Sequence, residues 1–106
     1  MLRVPSRWFA DQVEVESRTG TGASGPIYDP PVQVRCHLQQ RRQLVRDADG
    51  REVVSESTVR VPPGPDAALL SAESKVTTAD GRTAMVIGVR HHMLRGRLVY
   101  VEAALT

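Results

Sequence analysis

The sequence predicts an all-β chain, a small antiparallel β-barrel or sandwich of about six strands with long protruding loops. Two observations carry that reading. Apolar and polar residues alternate with a period of two in one segment after another, and turn-forming residues interrupt the alternation at short intervals. A third limits the alternative: the one stretch able to start a helix, residues 66–70, spans a single turn and is too short to be stable alone. There is no heptad and no internal repeat.

The first alternating segment is 12–18, with Val13 and Val15 inward and Glu14 and Glu16 in water. Residues 19–31, TGTGASGPIYDPP, carry Gly and Pro at the density of a long surface loop, with Ile27 and Tyr28 isolated inside it. Loops of about 12 residues or more without structure of their own are uncommon and are usually functional or disordered. Alternation resumes at 32–39, with Val32, Val34, Cys36 and Leu38 inward and Gln33, Arg35, His37 and Gln39 outward. Residues 40–51 form a second protruding loop, basic in character, around the turn at Asp49-Gly50. In 52–61, Ser55 and Ser57 share the inward register with Val59 and Val61, so the first half of this hairpin is expected to stand away from the core. Pro62, Pro63 and Pro65 stop the strand, because each removes a ladder donor, and Asp66 is placed to cap the helical turn.

Asp80-Gly81 reads as a two-residue type I′ turn, whose central residues both need positive φ. It joins residues 74–78 to a strand at 82–91 with Thr83, Met85, Ile87 and Val89 on one face and Arg82, Ala84, Val86, Gly88 and Arg90 on the other. The last strand, 98–105, sets Val99, Val101, Ala103 and Leu105 against Leu98, Tyr100, Glu102 and Ala104.

At 106 residues the chain is one domain, 1–106, with an N-terminal arm at 1–11. Trp8, Phe9, Tyr28 and Tyr100 are its only aromatics, so the core must come from Val, Leu, Ile, Met and Ala, each contributing about 1.5 to 3 kcal/mol or less. Modest stability as a monomer favours assembly. Cys36 is the single cysteine and forms no internal disulfide; no run has signal-peptide length or the roughly 20 apolar residues of a membrane span. A soluble protein maturing in a reducing cytoplasm is expected. The net charge of +2 does not by itself make a nucleic-acid binder, and the dominance of arginine over Lys75, the one lysine, is explained by a GC-rich genome.

Candidate chemistry is sparse. Cys36-His37 and His91-His92 are adjacent on strands, which sends each pair to opposite faces, so neither places two ligands on one ion; no metal and no cofactor are expected. DADGRE, residues 47–52, has two aspartates at calcium-loop spacing but lacks the 12-residue ligand schedule and reads as a turn. No phosphate loop and no nucleophile elbow occur, so catalysis is not expected. Arg41, Arg42, Arg46 and Arg51 cluster on the basic loop. Such a run is either a solvated face or a surface for a polyanion, and without interleaved aromatics any nucleic-acid contact would be non-specific and to the backbone.

The order of these segments, TGTGASGPIYDPP, then VQVRC, then DGREVVSESTVRVPP with its proline break, then SKVTTADGRTAMVIGV leading to GRLVYVEAAL, resembles the head-to-tail connector proteins of tailed bacteriophages, in particular the head-completion or stopper family of the neck. The resemblance covers 9–105. It implies a β-barrel subunit in a six- or twelve-fold homo-oligomeric ring beneath the portal and its adaptor, retaining packaged double-stranded DNA and docking tail-terminator or tail-tube proteins, assembled in the bacterial host cytoplasm and resident in the virion. It implies that a loop between early strands projects into the channel. Of the two candidates, 40–51 with Arg41, Arg42, Arg46 and Arg51 is favoured for the channel. Residues 19–31 are then left for contact with a neighbour or the adaptor, through Ile27, Tyr28, Pro30 and Pro31 together with Trp8 and Phe9. A free oligonucleotide-binding β-barrel with the arginines as its groove is the competing reading. A hydrolase using His91 or His92 is a third, opposed by the lack of any paired nucleophile and base.

Overall fold

The computed structural model describes residues 6–106. After a 3-10 turn at Ser6–Trp8 come β1 (Asp11–Glu16), β2 (Arg18–Gly22), β3 (Gly25–Tyr28), β4 (Val32–Gln39), β5 (Gln43–Arg46), β6 (Glu52–Ser55) and β7 (Ser57–Val61). A second 3-10 turn, Pro65–Leu69, leads to β8 (Lys75–Thr78), β9 (Thr83–Leu94) and β10 (Arg97–Leu105). The all-β, antiparallel architecture expected from the alternation is the one observed.

Six strands pair in the order β1, β4, β7, β10, β9, β8, and β8 also pairs with β1, so each has a neighbour on both sides. Two of them change partner halfway. In β4, residues 32–36 face β1 and residues 37–39 face β7; in β9, residues 83–85 face β8 and the rest face β10. Strands that pass from one sheet to another in this way form the corners of small β structures. Inside lie Val13, Val15, Val34, Cys36, Val59, Val61, Val76, Val101, Ala103 and Leu105, with Ala67 and Leu70 of the proline-rich segment packed into the same cluster. The helical turn has Gly64 at its N-cap and no side-chain cap, so Asp66 sits within the first turn instead of capping it.

Three register expectations are corrected. Val32 is 40% exposed, because it lies at the start of β4 where the pairing with β1 ends. In β9 the inward residues of the first half are Ala84 and Val86, while Thr83 is exposed. The pairing with β10 then skips from Val86 to Gly88, leaving Ile87 as an extra residue, and Val89 turns inward against Ala103. A one-residue bulge exchanges the faces of everything beyond it. Val99 is skipped likewise between Leu98 and Tyr100.

Residues 19–31 are also corrected: they are not an unstructured loop. Thr19, Thr21, Ile27 and Tyr28 are strand formers, and β2 pairs with β3 around a turn at Ala23 and Ser24 in which Gly25 takes φ +114°. Pro26 is tolerated because the hairpin has free edges.

Both Asp-Gly turns are three-residue loops. Thr78 N–H donates to Arg82 O, Gly81 N–H donates to Thr78 O, and only Gly81 has positive φ; Asp47, Gly50 and Arg51 repeat the pattern. A side-chain oxygen at the head of each loop accepts or makes further local bonds, which the shorter type I′ turn cannot use. The two-residue turn with positive φ at both positions is instead Arg95-Gly96, at 52° and 78°.

The run 52–61 bends at Glu56 and is divided between β6 and β7. Ser55 and Ser57 are both buried there, and the Ser55 hydroxyl lies 2.9 Å from the carbonyl oxygens of Ser57 and Leu105. A hydroxyl is therefore what this inward position requires: the bend turns carbonyls into the core, and an apolar side chain would leave them less well satisfied. Ser55→Ala is expected to cost about 1 to 2 kcal/mol, read as a lower urea midpoint with an unchanged m-value; an unchanged midpoint would show that the bend is held elsewhere.

Candidate functional site

What projects from the six-stranded ring is three hairpins. β2–β3 is pinned at its root: Ser17 Oγ donates to Leu69 O at 2.7 Å, Arg18 pairs with Glu73, and Lys75 Nζ sits 4.5 Å from the centre of the Tyr28 ring. Of the expected interface residues, Ile27, Pro30, Pro31 and Trp8 are exposed and Tyr28 is half-buried under that lysine. Phe9, expected with them as a contact residue, is buried in its own chain.

β5–β6 carries the arginine cluster, and it does stand outside the ring's ladder. It is not, however, a free loop. Gln43 Nε2 donates to Thr58 Oγ1 at 3.1 Å, and a Cβ at Gly88 would lie 3.3 Å from the carbonyl oxygen of Arg46, so the hairpin leans across the outer surface of β7, β10 and β9. Between hairpin and sheet lies an open groove of about 750 Å³ with Gln39, Arg60, Arg90 and Glu102 on its floor and Arg41 and Arg46 on its wall. Arg60 pairs with Glu102 at 2.9 Å and also donates to Gln39. Val45 and Val53 pair on one face of the hairpin and are half-buried; Leu44 and Val54 pair on the other, and Leu44 is 68% exposed.

The electrostatics differ from expectation. Arg42 lies 3.7 Å from Glu56, Arg46 lies 3.9 Å from Glu52, and Arg51 lies 3.8 Å from Asp47 and 3.1 Å from Asp49. Glu56, beyond the expected loop, supplies a fourth carboxylate, so the segment 41–56 carries four positive and four negative charges. Each exposed pair adds little stability. Together they cancel the hairpin's field, leaving Arg41 as the cluster's member without an ion pair among the described residues.

The other sequence candidates are separated in space. The carboxylate of Asp47 accepts the backbone N–H groups of Asp49 and Arg51, which makes DADGRE a turn. Cys36 is buried while His37 faces outward. Burial, and secondarily the nearby Asp11 carboxylate, push the Cys36 thiol up to about 12. His91 is exposed; His92 stacks on Tyr100 with ring centres 4.2 Å apart and lies 3.3 Å from Glu102. Among the described residues no three or more His, Cys, Asp or Glu side chains gather as a metal site would need, and no helix is long and apolar enough to cross a membrane.

Sequence reasoning missed the third hairpin. β9 runs on past His91 to Leu94 and returns as β10 from Arg97, and the turn lacks the Asn or Asp that would have marked it. Its signal was the positive charge of RHHMLRGRL, which contains no carboxylate.

With this geometry in view, no family model matches the chain, and no curated protein matches it.

Two outcomes follow from these contacts. Gly88→Val should lift β5–β6 off the sheet, seen as faster hydrogen exchange of amides 43–55 with the core amides unchanged; equal protection would show that the contact at Gly88 does not hold the hairpin. The Cys36 thiol should react with a disulfide reagent at pH 8 only as fast as the chain unfolds. Because its folded pKa lies above the ordinary thiol value, the native state holds the proton longer, so stability should fall as pH rises from about 9 towards 12. Flat stability across that window in alkaline denaturation curves, compared with Cys36→Ser, would contradict the assignment.

Proposed function

We propose that this chain is a structural subunit of a tailed-phage neck, a head-completion or stopper protein that acts by assembling into a ring below the portal and its adaptor, and not by catalysis. One observation carries the reading beside the resemblance of the segment order: of the seven large apolar side chains left exposed among the described residues, five (Ile27, Leu44, Val54, Met93 and Leu94) lie on the three hairpins, the others being Trp8 and Val32. A lone subunit has no use for apolar side chains on projecting arms, whereas neighbours in a ring can bury them.

The division of labour is set by charge. The arginines of β5–β6 are matched by the hairpin's own carboxylates, which removes the electrostatic motive for placing Arg41, Arg42, Arg46 and Arg51 against packaged DNA. The exposed Leu44–Val54 pair suits contact with a neighbouring subunit instead. On β2–β3, Ile27 with Pro30 and Pro31 is the second contact surface, and Lys75 over Tyr28 holds the hairpin in place for it.

The test is electron microscopy of tailed particles made by the genome that encodes this chain. Copies should form a ring between portal and tail, and heads made without the chain should lose DNA or fail to acquire tails. Leu44→Asp should leave the monomer folded, since the position is largely exposed, yet reduce neck assembly at least tenfold by mass spectrometry of purified particles. Particles that lack the chain in the neck, or that assemble normally without it, would overturn the reading.

A further inference from the structure

The β9–β10 hairpin outlasts the sheet that supports it. The last rung shared with β7 is Val101↔Val61, and beyond it only β9 and β10 continue, through Tyr100↔His92, Leu98↔Met93 and Arg97↔Leu94 to the turn. At about 3.4 Å per residue the two-stranded ribbon runs roughly 15 Å beyond that last shared rung, with Leu98 on its inner side still packed against the core. Its root is braced on one face by the Arg60–Glu102–His92 chain and the Tyr100–His92 stack.

We infer that this ribbon is an arm that grips the phosphates of double-stranded DNA through Arg95 and Arg97 at its tip, with Arg90 adding to the positive charge at its root, on the rung Glu102↔Arg90 beside the groove. The inference rests on the neck reading for the presence of packaged DNA and deepens it: charge placement assigns the contact to the tip of a hairpin whose Met93 and Leu94 that reading counts among its exposed apolar side chains. None of the three arginines makes an ion pair among the described residues; residues 87–101 include no carboxylate, and Glu102, across from Arg90, is engaged by Arg60 and His92. Arg95 holds the left-handed conformation at the turn, φ 52°, where Gly or Asn would sit more easily. A residue kept at a conformational cost at the outermost point of an arm points to its guanidinium as the feature required there.

The chemistry favours DNA over an acidic protein. A protein partner is registered by charges of both signs and anchored on a contiguous apolar patch; here the charge has one sign, and Met93 and Leu94, being adjacent on a strand, face opposite ways. Arginine forks suit phosphate oxygens, and a two-stranded ribbon fits the width of the major groove. Contact of this kind is non-specific and weakens steeply with salt.

The test is titration of the isotope-labelled chain with a mixed-sequence DNA duplex at low ionic strength, followed by amide shifts and repeated across salt concentrations. Shifts should concentrate at 90–98. The triple variant Arg90→Gln, Arg95→Asn, Arg97→Gln, in which Asn keeps the turn, should weaken binding at least tenfold and lower the salt slope by roughly two to three. A control with the same loss of charge, Arg35→Gln, Arg41→Gln, Arg82→Gln, should weaken it less than threefold. The proposal is overturned if no shifts occur at 90–98, if the control is as damaging as the triple variant, or if a poly-glutamate of matched charge displaces the duplex and perturbs the same amides more strongly.

Discussion

The bend at Ser55–Ser57 is the constraint on which the arrangement depends. A single run of strand-forming residues would otherwise continue straight from Glu52 to Val61 and could pair along only one line of neighbours. By bending at Glu56 the chain places β7 between β4 and β10 and frees β6 to pair with β5. The Ser55 hydroxyl reaches the carbonyls of Ser57 and Leu105, and Glu56 N–H donates to Leu105 O at 3.1 Å, so the polar groups exposed by the bend are answered within the core. Backbone groups taken out of water must find such partners. The second hairpin, the groove and the contact at Gly88 all follow from the direction in which this bend sends β6.

The partner changes in β4 and β9 have a related effect on charge. Because β9 leaves β8 after Met85 and continues along β10, the β9–β10 hairpin carries Arg90, Arg95 and Arg97 with Glu102, across from Arg90, as the carboxylate of its ladder, and Glu102 is already engaged by Arg60 and His92. The β5–β6 hairpin carries more arginines but meets them with Asp47, Asp49, Glu52 and Glu56. The richer arginine cluster is therefore the weaker electrostatic surface. What distinguishes the two hairpins is the position of acids relative to the turn.

The sequence by itself determined the element type, the central register of most strands and the positions of the Asp-Gly turns, because these depend on neighbours within a few residues. Val13 and Val15, Val34 and Cys36, Val59 and Val61, and Val101, Ala103 and Leu105 all sit inward as their alternation requires. The same local rules explain why Cys36 and His37 separate and why DADGRE is a turn. Tertiary structure decided the rest. The bulge at Ile87 is invisible in the sequence of β9, since nothing local says which residue the partner strand will skip. The pairing of β2 with β3, the neutralisation of Arg42 by Glu56 and the extension of β9–β10 beyond the ring each bring together residues whose proximity is settled by the path of other strands. Periodicity is a property of one segment, whereas register and charge compensation belong to pairs of segments, and only the folded chain fixes which segments become pairs.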